Sequence, residues 1–275
     1  MLRALYSGIT GLRAHQTMVD VTGNNIANVN TAGYKSSGTV FEDTLSQMVN
    51  NAGAPGTGMG GTNPAQVGLG VRVASILGNF TQGAAQTTGR ATDLMMAGDG
   101  FFMVRGDGQD LYTRAGAFSF DSAGNLTNPD GRMVLGWQAN GAGVIDPTAN
   151  PTPIQLPSGL QSFSFGPDGV LTGVLANGTK QPIAQLAIAT FLNPAGLERV
   201  GGTAFRTSVN SGAAQVGGAN SGGRGSVTAG SLEMSNVDLS QEFTNLIVAQ
   251  RGFQANARVI TTSDEVLQEL TNLKR

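Results

Sequence analysis

The chain has 275 residues, 41 of them Gly, with a net charge of −2 and 12% charged residues, about half the usual ~25%. That length allows one large or two modest domains, and the small charge, without any Lys/Arg cluster, argues against nucleic acid or an anionic membrane as partner. With no Cys and a single His, disulfides, thiolate chemistry, Cys-ligated zinc and His-based metal or triad sites are excluded.

At the N-terminus, Ser7, Gly8, Arg13 and His15 break any apolar h-region, so a cleavable signal peptide is not expected. No apolar run approaches the ~18 residues that a bilayer span needs. Leu2, Leu5, Ile9, Leu12, Gln16, Val19, Gly23 and Ile26 follow one another at spacings of three and four. That pattern predicts a helix with an a/d seam, softened at Gln16 and Gly23. At ~1.5 Å per residue, residues 1–28 would make a rod of roughly 42 Å. Asn24, Asn25, Asn28 and Asn30 then cluster before the Ala32-Gly33 turn. Asn side chains bond nearby backbone and tolerate left-handed geometry, so the cluster reads as a helix stop. A functional reading would add amide contacts to adjacent subunits; on chemistry alone the plain stop is preferred.

Residues 36–70 read as a Gly-rich flexible linker, from Gly53, Pro55, Gly56, Gly58, Gly60, Gly61 and Pro64. Gly56-Thr57-Gly58-Met59-Gly60-Gly61 matches G-x-G-x-x-G in form, but it neither follows a strand nor opens a helix, which a dinucleotide loop requires. Residues 71–210 read as a β-rich outer domain. Asp99-Gly100, Asp107-Gly108, Asp130-Gly131, Asn140-Gly141, Asp168-Gly169 and Asn177-Gly178 are tight-turn dipeptides. They flank short apolar runs such as Phe101-Phe102-Met103-Val104, Phe118-Ser119-Phe120, Phe163-Ser164-Phe165 and Leu186-Ala187-Ile188. Regular turns between short strands favour an antiparallel sandwich or barrel. The Pro147 to Pro157 stretch reads as a surface connection. Asp121, Ala123 and Asn125 lack the Gly and Glu of a calcium loop and read as a hairpin turn. Asp93, Asp99, Asp107 and Asp110 sit beside turn signals and read as solvated loops. No residue set holds a cofactor or metal, and nothing reads as an enzyme site.

Residues 211–234 read as a Gly-rich return linker, and residues 235–275 as a second helix. Its seam runs Leu239, Phe243, Leu246, Gln250, Phe253, Ala257, Ile260, Asp264 and Leu267, with Val266, Leu270 and Leu273 widening the apolar face. Asp238 or Ser240 can cap it, and Glu242 adds favourable charge in the first turn. Residues 1–35 and 235–275 are thus expected to pair as an axial core, an α+β architecture of discontinuous topology. Isolated helices of this kind are marginal in water, so both ends are expected to be mobile in the monomer and ordered in an assembly.

Leu5-Tyr6-Ser7-Gly8-Ile9-Thr10-Gly11-Leu12, the Asn24 to Lys35 stretch, Glu233-Met234-Ser235-Asn236-Val237-Asp238-Leu239 and Ile247 to Gln254 closely resemble the terminal signatures of bacterial flagellar rod and hook axial proteins. Gly98-Asp99-Gly100-Phe101-Phe102 and Tyr112-Thr113-Arg114-Ala115-Gly116 are similar to the family's central β domain. The resemblance spans nearly the whole chain and is strongest to hook proteins of the short type, which lack a further outer domain where this chain has its Pro-rich connection. It implies a self-assembling hook subunit, a flexible helical tube with a central export channel that links rod to filament and transmits motor torque. The implied interface residues are Leu2, Leu5, Ile9, Leu12, Val19, Asn24, Asn25, Ile26 and Asn28 at one end. At the other they are Leu239, Phe243, Leu246, Phe253, Ile260, Leu267 and Leu270. The implied partners are copies of the chain, rod and hook–filament junction proteins, the hook cap and the flagellar type III export apparatus, with no nucleic acid and no membrane insertion. The implied place is outside the cell, in the flagellar basal body and hook. A rigid distal rod subunit is the alternative, and a non-flagellar β-domain binding protein a more distant one.

Overall fold

The structure is a computed structural model that describes residues 2–56, 60–106, 108–140, 143–157, 159–175 and 178–273, the Leu2 side chain excepted. The chain divides into two units. One collects residues 1–27, 37–78 and 238–275; the other holds 28–36 and 79–237. The class is α+β, with a helix at each end and a mainly antiparallel β region between them.

The first unit contains helices α1 (Leu2–Ala27) and α2 (Leu239–Leu273) and strands β1 (Ser37–Asp43), β2 (Ser46–Asn50), β3 (Ala65–Gly68) and β4 (Val71–Gly78). Asp238 caps α2: its Oδ1 accepts hydrogen bonds from the backbone N–H groups of Ser240 at 2.8 Å and Gln241 at 3.3 Å. These would otherwise be orphan donors. β1 pairs with β4 from Ser37↔Gly78 to Asp43↔Val71, and β2 with β3 from Ser46↔Gly68 to Asn50↔Ala65. Residues 37–56 and 60–78 therefore form a long two-stranded ribbon, which corrects the expectation of a flexible linker over 36–70. The Gly and Pro residues gather at the ribbon's tip, whereas Val40, Phe41, Val71 and Val73 supply the β-branched and aromatic side chains that favour strands. β4 also falls in this unit rather than in the β domain expected over 71–210. Thr57, Gly58 and Met59, within the G-x-G-x-x-G match, lie outside the described residues.

The second unit contains β5 (Ala85–Thr87), β6 (Leu94–Ala97), β7 (Phe101–Gly106), β8 (Gln109–Thr113), β9 (Ser119–Phe120), β10 (Leu126–Thr127), β11 (Met133–Gln138), β12 (Thr152–Pro153), β13 (Leu160–Phe165), β14 (Val170–Leu175) and β15 (Lys180–Leu186). It continues with β16 (Ile188–Thr190), β17 (Glu198–Gly201), β18 (Ala204–Arg206), β19 (Gln215–Gly217), β20 (Ser226–Ala229) and β21 (Ser231–Glu233). A sheet of 13 strands among the described residues follows the path β13-β14-β15-β11-β7-β8-β18-β17, with five short strands branching from it.

Both faces of this sheet are covered. Phe102 and Val104 of β7 and Val134 of β11 join one apolar cluster with Leu94, Phe118, Leu126 and Leu186. The alternate residues, Phe101, Met103, Leu135 and Trp137, join the other with Tyr112, Phe191 and Phe205. Burial on two sides explains why Phe101-Phe102-Met103-Val104 is apolar without alternation. Gly131 and Gly169 adopt φ of +78° and +70° in predicted turns, a region where only Gly is unstrained. Asp107, Gly141 and Asn177, from three other predicted turns, lie outside the described residues. The Asp121 carboxylate accepts bonds from Ala123 N at 2.9 Å, Asn125 N at 2.7 Å and Asn125 Nδ2 at 2.9 Å. It closes a hairpin turn, and the bonds from Asn125 hold its pKa below the usual carboxylate range.

The segment 211–234, expected as a slack return linker, carries β19, β20 and β21. Its Gly222-Gly223 pair forms a turn, with φ of +59° and +80°. Gly225 lies so close to β6 that a Cβ there would sit 2.3 Å from the Ala97 carbonyl oxygen. A left-handed turn at Gly222-Gly223 and close backbone approach at Gly225 are what these glycines supply.

Candidate assembly surfaces

The helices α1 and α2 run antiparallel. A Cβ on Gly8 would touch Ile260 and the Asn256 carbonyl, one on Gly11 would meet the Asn256 side chain at 2.6 Å, and one on Gly252 the His15 ring at 2.5 Å. Asn25 Nδ2 donates to Glu242 Oε1 at 3.1 Å. The seam is thus Gly8, Gly11, Ala14, Thr22 and Asn25 against Glu242, Ala249, Gly252 and Asn256, and Ala14, Thr22, Asn25 and Ala249 are all buried. Small side chains let the two backbones approach closely, so that many weak dispersion contacts add up.

Of the large apolar residues predicted for the seam, Ile260 packs against Gly8, and Val19 and Phe253 border it. Leu5, Leu12, Val19 and Ile26 are half-buried and Ile9 is 40% exposed. On α2, Leu246, Ile260 and Leu267 are half-buried, whereas Leu239, Phe243, Phe253 and Leu270 are 37–52% exposed. With Tyr6, Ile247, Val248, Val259, Val266 and Leu273 they leave large apolar side chains uncovered along both helices, on more than one face of α2. Val19 and Phe253, with Gln16, Gln250 and Gln254, line a shallow apolar groove to which both helices contribute. An uncovered patch of this extent marks an interaction surface. Leu2 opens α1, but its side chain lies outside the described residues.

The Asn cluster divides. Asn25, 1% exposed, accepts from Ser37 N at 3.0 Å and donates to Ser37 O at 2.8 Å, so it ties α1 to the start of the ribbon as well as to α2. Asn28, half-buried, accepts from the Thr31 hydroxyl at 3.1 Å in the turn that ends the helix. Asn24 is exposed. The ribbon then follows α1 backwards: His15 packs on Phe41 with ring centroids 5.8 Å apart, and Thr10 Oγ1 accepts from Val71 N at 3.3 Å. From Thr10 to Leu2 the helix offers only about 12 Å more. β2 and β3 extend the ribbon by roughly another 23 Å, and every residue in them is exposed. Leu45, Met48, Val49 and Val67 lie bare here, and a lone two-stranded ribbon is marginal in water.

In the β unit, two signature segments clasp each other. Lys35 Nζ lies 2.6 Å from Glu233 Oε1 and donates to Thr81 O at 2.8 Å, while Gly83 N donates to the same Glu233 oxygen at 2.9 Å. Arg114 Nη1 lies 3.6 Å from Glu233 Oε2. The side chains of Lys35 and Glu233 are fully buried and that of Arg114 nearly so. Burial pushes the pKa of Lys35 and of Arg114 down, against the opposing pull of Glu233. Asn236 Oδ1 accepts from Ser36 N at 2.8 Å, and its Nδ2 donates to Asn79 O at 2.8 Å. Arg199 donates to Lys35 O and stacks over Tyr34. None of Lys35, Arg114, Glu233 and Asn236 was singled out as a site residue, although each lies in a signature stretch. Among the described residues no group of acidic and His side chains is arranged to hold a metal.

Three family models match the chain: "Flagella basal body rod protein" over residues 5–35, "Flagellar hook protein FlgE/F/G D1 domain" over 95–173 and "Flagellar basal body rod FlgEFG protein C-terminal" over 228–273. The chain is 48% identical to the flagellar basal-body rod protein FlgG of Bacillus subtilis, with 100% of each chain covered. It belongs to the family of flagellar rod and hook axial proteins. FlgG of Agrobacterium fabrum is 37% identical over 99% of this axial protein and 100% of its own length. The hook protein FlgE of Borreliella burgdorferi is 30% identical in an alignment of 442 residues that covers both chains fully. The two terminal models span α1, α2 and the clasp, and the central one spans the heart of the sheet. Axial proteins of this family are structural, self-assembling components of the flagellum that associate with other flagellar proteins. No helix of the described residues is long and apolar enough to cross a membrane.

Proposed function

We propose that this chain is a subunit of the flagellar rod, a rigid helical shaft built from copies of itself. The observation that carries this reading is the end-to-end match to a rod protein, 48% identical with an alignment of 277 residues against a chain of 275. The hook relatives stand at 30% and 28% and need alignments of 442 and 463 residues. The motif wording alone had placed the hook first; length and identity together favour the alternative.

The uncovered apolar side chains on α1 and α2 supply the lateral contacts between copies, and the bare end of the ribbon supplies further ones. Contacts between unlike patches on successive copies, when they do not close into a ring, generate a helix. Such a tube has a central channel, and the torque of the motor passes along its wall. The chain is exported through the flagellar type III apparatus, and its neighbours are other rod proteins on one side and hook proteins on the other. Electron microscopy of concentrated protein under salting-out conditions tests the reading. Straight hollow tubes are the expected result, and curved tubes would return the hook reading. A protein that stays monomeric even with rod fragments as seeds would defeat both.

A further inference from the structure

Residues 226–237 of the β unit lie outside its 13-stranded sheet. Among the described residues β20 pairs only with β6, and β21 only with β5. Further backbone bonds run from Val227 N to Pro167 O at 2.9 Å, Gly230 N to Asp93 O at 2.8 Å, Thr88 N and Gly89 N to Gly230 O at 2.9 and 3.1 Å, and Met234 N to Ala84 O at 2.9 Å. Gly33 N donates to Glu233 O at 2.8 Å, so this strap and the 33–36 segment are held to each other. Val227 is the one large apolar residue of the strap that reaches the main core.

The anchor is Glu233, and its charges do not balance. One buried carboxylate faces two buried cations, Lys35 and Arg114, of which Arg114 also donates to Gly98 O at 2.9 Å and feels the exposed Asp99 carboxylate. Glu233 Oε2 and Arg114 Nε have no hydrogen-bond partner among the described residues. A buried cluster that is only partly satisfied holds its elements in place while giving back much of the gain to desolvation. The sheet has no such weakness, since β7 and β11 are covered by apolar side chains on both faces.

We propose that residues 226–237 form a latch that opens as one unit ahead of the sheet and releases residues 33–36 with it. The two segments by which the chain enters and leaves the β unit would then be freed together, at low cost, while the sheet stays intact. Elements of lower local stability open in this way as cooperative blocks.

Hydrogen exchange on the full chain under native conditions tests it. The amides of Gly33, Ser36, Val227, Gly230 and Met234 should exchange at one shared rate, at least tenfold faster than those of β7 and β11. In Glu233→Gln, which removes the one buried counter-charge, that shared rate should rise by about a hundredfold. The β7 and β11 rates should move by less than about threefold. Wild-type latch amides exchanging at the sheet's rate would overturn the proposal without recourse to the variant. So would a substitution that speeds sheet and latch alike, or strap amides that exchange independently of Gly33 and Ser36.

Discussion

Replacing Gly11 with Leu should separate α1 from α2 while leaving the β unit folded. The Cβ alone would lie 2.6 Å from Asn256 Oδ1 and 2.8 Å from its Cγ, so the Asn256 side chain must leave the seam and give up its bond to Gly252 O, and three further carbons must then fit between the helices. Overpacking a fitted contact costs about 1–3 kcal/mol. That exceeds what a helix pair can lose when each member is marginal alone. Far-UV circular dichroism should lose most of its helical signal, and the protein should not polymerise. The only tryptophan, Trp137, is buried in the β unit with Nε1 donating to Ala149 O at 2.6 Å. Its fluorescence transition should stay where it is in the wild type. Gly23 provides the opposite control. It lies in the same helix with nothing within 4 Å of its Cβ position, so Gly23→Ala should stabilise by about 0.5–1 kcal/mol through backbone entropy. Unchanged helicity and normal polymers in Gly11→Leu would show that the seam has been assigned to the wrong face.

That seam shows where reading the residues in order succeeds and where it stops. The presence of a helix at each end, the Asp238 cap and the β character of the middle were legible because each is written in local spacing or a single side chain. The phase of the helix pair was not. A heptad count weighs bulk, and so selected Leu5, Ile9 and Leu12, whereas the structure brings the backbones together at Gly8, Gly11 and Gly252. The signal that would have found it is the small-residue spacing of Gly8, Gly11 and Ala14. The ribbon was hidden for a related reason: glycines at its tip coloured the whole of 36–70, although Phe41, Val71 and Val73 already alternate. The clasp was beyond local reasoning. Lys35 and Glu233 are 198 residues apart, and no periodicity links them. They are recognisable only as parts of two motifs whose joint meaning appears when the chain closes.

The same partition makes the exposed apolar side chains of α2 a test of assembly rather than of folding. Phe243 is 51% exposed, and Phe253, 37% exposed, stands at the edge of the groove it shares with Gln16 and Val19 of α1, so a charge costs the monomer little at Phe243 and somewhat more at Phe253. In a polymer the exposed remainder of each ring would be buried and a charge there desolvated without a partner, together about 1.5–3 kcal/mol. At 1.4 kcal/mol per factor of ten, Phe243→Asp or Phe253→Asp should raise the critical concentration for polymerisation by roughly ten- to a hundredfold. The two sites are about 15 Å apart along α2, far enough for their effects to add. The double variant should therefore fail to polymerise at any practical concentration. Helicity, the Trp137 transition and exchange protection at Gly11 and Ala249 should remain those of the wild-type monomer, unlike Gly11→Leu, which loses helix and polymer together. Sedimentation against concentration measures the first effect and circular dichroism the second. Wild-type polymers from the double variant would mean that copies do not meet through this face of α2. The bare ribbon would then be the surface on which to place the contact.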